Sequence, residues 1–339
     1  MRDPRTSRPT LETVARLAGV SRATVSRVVN GSTAVTPRVQ EAVDRAVEQL
    51  GYVPNPAARS LVSRRTDSIA LVVPEPATRM FSDDAFFPGI LRGIGQELEA
   101  ADKQLVLLLA STPASHERIT RYLRGRTVDG VILASLHGAD PFPTELMAMG
   151  MPVVTSGRPL GRGAALAPYI DVDHAGGVRA AVEHLLARGR TRVATIAGPQ
   201  DMIAGIERLA GYRDAIAAAG MRSIVEIGDF TRESGMAAMR RLLDDEPGID
   251  AVFVASDLMA DGALRVLRQA GRAVPGDVAV IGFDDAATSR YSEPPLTTVR
   301  QPIHEIGRTL AQQVLRLAAG DEVDDALILP TELIVRESA

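Results

Sequence analysis

Between Thr10 and Asn30 the apolar residues Val14, Leu17, Val20, Val25 and Val28 recur at helical spacings, but Gly19 and Ser21 interrupt them. The pattern predicts a helix, a tight turn and a second helix. Thr10 is placed to cap the first helix, Gly19 is free to adopt positive φ, and Ser21 is placed to cap the second. A third helix is predicted from Pro37, with Thr36 as its cap, through Val39, Val43, Ala46, Val47 and Leu50 to Gly51. Helices joined by only about three residues must cross steeply, which is how a helix-turn-helix presents its second helix to a DNA major groove.

From Ser68 onward the pattern changes. Short β-branched runs near 68–73, 104–109, 130–133, 152–155, 192–197, 224–227, 251–255 and 278–283 alternate with helical stretches. Such alternation predicts parallel sheets with crossover helices. Roughly eight such units suit one closed barrel or two open sheets of about four to six strands each. The polar stretch 157–168 falls near the middle of the array and favours two similar lobes. The predicted class is α/β: a three-helix head followed by two doubly wound parallel-sheet lobes.

Charge sharpens the division. Residues 1–65 hold eleven Arg against five Asp or Glu, a net of +6, which leaves −10 for the rest of a chain whose total is −4. A basic head suggests an anionic partner such as nucleic acid, because neutralising phosphates drives sequence-independent affinity. Arg22 stands in the first turn of the second helix, where the helix dipole disfavours a cation. Thr24, Ser26, Arg27 and Asn30 share that helix with the small Ala23, and these four offer hydroxyl, amide and guanidinium groups suited to phosphates and base edges. The same polar face is also what a solvated helix would show.

Several classes are disfavoured. The longest apolar runs, 105–110 and 249–255, are far short of the roughly 20 residues that span a bilayer. The first nine residues carry no apolar stretch suited to secretion, so a cytoplasmic location is expected. With no cysteine, disulfides, thiolate zinc sites and cysteine nucleophiles are excluded. No GxxxxGK[ST], HExxH or GxSxG motif occurs, and the five histidines are scattered. No enzymatic activity, metal or cofactor is expected.

The stretch LETVARLAGVSRATVSRVVN (11–30) closely resembles the head of the lactose-repressor (LacI/GalR) family. The resemblance continues through LGYVPNPAARSL (50–61), AGP (197–199), RLAGY (208–212), Ser256-Asp257, GFDD (282–285) and PLTT (295–298). It implies a helix-turn-helix head, a hinge helix and a core of two lobes of periplasmic-binding-protein type with a small effector between them, and a sugar is expected there. The expected boundaries are a disordered arm over 1–9, the head over 10–53, hinge helix and linker over 54–66, and the core over 67–339. The first lobe is expected over about 67–165 with 298–322, and the second over about 166–297 with 323–339.

The resemblance also implies roles. Thr10, Ser21, Tyr52, Asn55, Ala58 and Leu61 join the recognition-helix residues as DNA contacts. The segment from Asn55 and Pro56 to Val62 is too short to hold a helix alone in water. Family members form it on the operator in pairs, and the leucine matching Leu61 wedges into the minor groove. A buried linker residue is the alternative for Leu61. Arg64 and Arg65 are phosphate contacts or merely solubilising charges.

In open α/β sheets ligands lie beyond the carboxyl ends of strands. Those positions hold Glu75, Ser135, Arg158, Phe230, Ser256, Asp257 and Asp284. Carboxylates and a guanidinium that can hold vicinal hydroxyls, with an aromatic face, describe a sugar or polyol site. Arg208 and Asp284 match the family's ligand arginine and aspartate, Phe230 its stacking aromatic, and Ser256 a position that hydrogen-bonds ligand. Asp257 reads equally as an N-cap for a helix from Leu258. The chain departs from the family at FSDDAFF (81–87), where many members carry Asn-Pro before two aromatics, so Phe86 or Phe87 either stacks on ligand or packs beneath the next helix. A homodimer on palindromic operator DNA is expected, since two-fold symmetry lets two heads read two half-sites. Tetrameric members append a C-terminal heptad segment, and with 333–339 directly following the last predicted strand a tetramer is not expected.

Overall fold

The computed structural model describes residues 9–29, 35–53, 65–80, 83–161 and 167–339. Its contacts group into two units, Met1–Thr66 and Asp67–Ala339.

The first unit contains α1 (Leu11–Ala18), α2 (Arg22–Val29) and α3 (Pro37–Leu50). Thr10 and Thr13 form a reciprocal cap: Thr10 Oγ1 accepts the Thr13 N–H at 3.3 Å, and Thr13 Oγ1 accepts the Thr10 N–H at 2.8 Å. Gly19 ends α1 at φ 67°, a left-handed conformation that a Cβ would penalise. Ser21 Oγ accepts the Thr24 N–H at 3.1 Å and so caps α2. Thr36 makes no side-chain cap, so the start of α3 relies on the preset φ of Pro37. Val14, Val25, Val28, Val43 and Ala46 close a small core with Tyr52. Burying a valine is worth roughly 1.5–3 kcal/mol, so three helices this short hold only as a set. Leu17, counted in the apolar pattern, is 46% exposed and lies outside that core.

The second unit has two six-stranded sheets. One runs β11 (Ala326–Leu329), β5 (Tyr169–Val172), β4 (Val153–Ser156), β3 (Gly130–Leu133), β1 (Ser68–Val73), β2 (Gln104–Leu109), all parallel. The other runs β12 (Glu332–Ile334), β10 (Thr297–Arg300), β9 (Ala279–Asp284), β8 (Ala251–Val254), β6 (Val193–Ala197), β7 (Val225–Ile227), with only β12 antiparallel. The central strands β1, β3, β6, β8 and β9 are buried on both faces, as parallel sheets flanked by crossover helices require. Helices Phe86–Ala100 and Ile303–Ala319 pack so closely that a Cβ on Gly93 would lie 2.1 Å from His304 O.

The lobe limits differ from those expected. β5 and β11 belong to the first sheet and β10 to the second, so the chain crosses between lobes at Asp173, at Gln301–Pro302 and at Pro330–Thr331. Four strands escaped the sequence reading. β5 and β10 are only four residues long, and TTVR in β10 is dominated by threonines that are nonetheless fully buried. β11 and β12 alternate weakly at the sheet edges, where one side faces solvent.

Candidate functional site

Residues from both lobes line one cleft, which narrows to two adjoining cavities of about 70 Å³ each, sharing Phe86, Ser135, Met202, Arg208 and Gln301 as walls. A wider chamber of about 520 Å³ continues outward past Arg79, Asp84 and Phe230. Polar bridges join the lobes at the rim: His137 Nδ1 lies 2.9 Å from Asp201, Arg158 Nη2 2.9 Å from Glu207, and Arg232 3.1 Å from Asp83.

Arg208 sits on helix Ile203–Ala218 at the base of this cleft and is 5% exposed. Its guanidinium stacks 3.7 Å from the centroid of Phe283 and lies 5.6 Å from that of Phe230. Nη1 donates to Ala255 O at 2.6 Å and lies 3.7 Å from Asp284 Oδ1, while Nε donates to His174 Nδ1 at 3.2 Å. Nη2 is the donor that remains for a ligand among the described residues. Asp284 takes a hydrogen bond from Gln301 Nε2 at 2.6 Å.

Burial, with the neighbouring Asp84 carboxylate, pushes the Asp284 carboxyl up to about 7 despite the opposing pull of Arg208. Asp84 is itself raised, chiefly by burial. A ligand hydroxyl donates more strongly to a carboxylate than to a protonated acid, so binding through Asp284 favours loss of that proton. Affinity for a neutral sugar is therefore expected to rise with pH and level off above about 7, falling up to about tenfold per unit below it. Calorimetric titrations at several pH values on the parent and on Asp284→Asn test this, because the variant should lose the dependence. The same shift favours the folded state below the ordinary carboxyl range, and that stabilisation is lost as pH rises through about 7.

Three cleft residues hold left-handed backbone without being glycine: Ser135 at φ 61°, Phe230 at φ 67° and Asp284 at φ 118°. Such conformations cost of order 1–3 kcal/mol each and persist where function places a side chain. The Phe230 ring fills the space above Gly198, where a Cβ would lie 2.4 Å from it. Phe86 meets Phe87 edge-on at 5.5 Å: Phe87 packs in the core and borders one inner cavity, while Phe86 lines both.

Three expected contacts already hold protein partners. The Glu75 carboxylate accepts from Ser135 Oγ at 2.7 Å, lies 3.0 Å from His137 Nε2 and 3.5 Å from Arg79 Nε, and so locks the first-lobe loops together. Burial raises its pKa, but His137 and Arg79 outweigh that and hold it below the usual range. Arg158 Nη2 makes the rim pair with Glu207, while the residue also lines an inner cavity. Asp257 accepts from Thr298 Oγ1 at 2.6 Å and Ala286 N at 2.8 Å, and is not the cap of its helix. That cap is Ser256, whose Oγ accepts the Met259 N–H at 3.2 Å while the residue still lines an inner cavity.

Sequence reasoning missed Asp84, Gln301, Asp171 and His174. Asp84 lies within the divergent segment 81–87. Gln301 and Asp171 stand at the ends of β10 and β5, the unrecognised strands, so the rule that finds strand-end residues had nothing to act on.

In the head, α2 exposes Arg22, Ala23 and Arg27, with Ser21 just before it; Thr24 and Ser26 are half-buried. Arg22 pairs with Glu12 at 3.0 Å, which offsets the unfavourable dipole. Ser21 and Thr24 hydroxyls bond one another at 2.8 Å. Thr10 is exposed at the start of α1. Tyr52 does not belong to this surface: its ring is 9% exposed and closes the head core. Asn30, Asn55, Ala58, Leu61 and Arg64 lie outside the described residues.

A basic helix-turn-helix unit on a chain whose larger unit is a two-lobed cleft protein defines a ligand-controlled DNA-binding regulator. The family model "Bacterial regulatory proteins, lacI family" matches residues 10–55, and a "Periplasmic binding protein-like domain" matches 182–339. The chain is 52% identical to the HTH-type transcriptional regulator CelR of Thermobifida fusca, covering 98% of this chain and 99% of that one. It is 31% identical to the ribose operon repressor of Halalkalibacterium halodurans, over 97% and 96%. Among solved structures, a transcriptional regulator CelR–cellobiose complex matches at 50% identity and a TM-score of 0.78, covering 98% and 100%. The Lac repressor dimer bound to operator and the anti-inducer ONPF matches at 28% identity and a TM-score of 0.86, covering 98% and 99%. The chain belongs to the LacI family of bacterial transcriptional regulators. Among the described residues no helix is long and apolar enough to cross a membrane.

Proposed function

We propose that this regulator binds a palindromic operator as a homodimer and that its effector is a glucose disaccharide of the cellobiose type, held between the lobes. The carrying observation is the buried Arg208–Asp284 pair at the base of the cleft, with Gln301 and Asp84 beside it and Phe230 and Phe86 as apolar walls. A forked donor beside carboxylates suits vicinal hydroxyls, and aromatic faces suit the C–H faces of a pyranose. Cellobiose is favoured by the named complex of the 50% identical regulator. The outward chamber of about 520 Å³, which shares Asp84 and Phe230 with the inner cavity, has room for a second ring. On this reading Arg208, Asp284, Phe230, Phe86 and Ser256 touch the effector, while Glu75, Arg158 and Asp257 shape the loops around it.

A thermal-shift series with cellobiose, glucose, ribose and a nucleoside tests the proposal. Cellobiose at about 100 times its Kd should stabilise the core by about 2.7 kcal/mol, a rise in Tm of about 5–10 °C. A shift with ribose or the nucleoside and none with cellobiose would reject it.

A further inference from the structure

The helix that begins the second lobe places His174, fully buried, at the first crossing between lobes. Its ring has two partners. Nε2 lies 2.9 Å from Asp171 Oδ1, at the end of β5 in the first lobe, and Nδ1 accepts the Arg208 Nε–H at 3.2 Å. Arginine can only donate, so Nδ1 must be unprotonated, and the carboxylate can only accept, so the proton sits on Nε2. Burial and the adjacent Arg208 charge push the imidazole pKa down, in keeping with a neutral ring. Asp171 is fixed in turn. It accepts the backbone N–H of Arg158 at 3.1 Å and of Val172 at 2.9 Å, and Arg158 pairs with Glu207, the neighbour of Arg208 on its own helix. The links form a ring, Arg208–His174–Asp171–Arg158–Glu207, that passes from the second lobe to the first and back.

We propose that His174 is the positioning residue for Arg208: it holds the guanidinium in its ligand-receiving orientation and ties that orientation to the first lobe through Asp171. This rests on reading the cleft as the sugar site. Nε and Nη1 are fixed by His174 and Ala255, so the free Nη2 edge has one direction available. Any shift of β5 relative to helix Ile203–Ala218 moves the Asp171 carboxylate, turns the imidazole and swings that edge. Lobe closure and ligand capture are thereby joined through one buried side chain in the wall of an inner cavity.

Two near-isosteric variants of the full-length protein separate the halves of the link. His174→Gln keeps an amide N–H for Asp171 but removes the Nδ1 acceptor; His174→Asn keeps an acceptor near the Nδ1 position. In cellobiose titrations by calorimetry, His174→Gln should weaken binding about tenfold and His174→Asn should stay within about threefold of the parent, since a hydrogen bond to a charged group is at stake only in the first. Equal losses in both would reduce His174 to packing and overturn the proposal. An independent readout needs no sugar: ¹⁵N-histidine spectra should show His174 as the neutral Nε2–H tautomer, with its Nδ1 resonance shifted in Arg208→Lys. An Nδ1–H tautomer or an imidazolium would refute the positioning role. If the spectra show the expected tautomer but no protein form binds cellobiose, the identity of the effector fails and the positioning link stands.

Discussion

Arg208→Ala is expected to abolish the response to effector while leaving ligand-free operator affinity near that of the parent. The side chain is 5% exposed, and its Nη2 is the donor left for a ligand at the base of the cleft. Losing a charged hydrogen bond costs on the order of 1.5–3 kcal/mol, so sugar affinity should fall roughly ten- to hundredfold. The head forms a separate unit with its own core, so its DNA surface is untouched by the change. An effector shifts a regulator only through differential binding to two states, and a variant that no longer holds the sugar has nothing left to shift. Removing the guanidinium also leaves Asp284 buried without its cation, so a melting scan must accompany the titrations. Retention of full effector response, or loss of operator binding in a folded variant, would remove Arg208 from the effector site.

Operator affinity should fall by about three orders of magnitude or more between roughly 50 and 200 mM salt, because phosphate contacts release condensed counterions. Each head exposes Arg16, Arg22, Arg27 and Arg38, while the rest of the chain beyond residue 65 is acidic. The field that steers DNA is therefore carried by the N-terminal unit. Arg27→Ala should lower the slope of log K against log salt by about 2 per dimer if each copy meets one phosphate, and should weaken operator and random duplex alike. Arg22 differs, since its pairing with Glu12 partly neutralises it in the free protein. A slope unchanged by Arg27→Ala, or an affinity independent of salt, would show that this face does not meet the backbone.

The sequence by itself determined the head and the class of the core. Gly19, Ser21 and the spacing of Val14, Val25 and Val28 are local instructions, readable because a tight turn and a helical stripe depend on residues a few positions apart. The uninterrupted β-branched and apolar runs of β1, β6 and β8 likewise announce buried parallel strands. Arg208, Phe230 and Asp284 were legible as strand-end or motif residues, and the structure gathers them round one cleft. Only the tertiary structure decided which polar groups stay available to a ligand. Glu75, Arg158 and Asp257 have the right chemistry, yet their partners, His137, Glu207 and Thr298, lie 62, 49 and 41 residues away, and no local pattern encodes such pairings. Tyr52 went into the head core for the same reason, because burial is a property of what packs against a ring. His174 and Gln301 came to the site through β5 and β10, strands whose short, threonine-rich or mixed sequences become strands only when a neighbouring sheet supplies their hydrogen-bond partners.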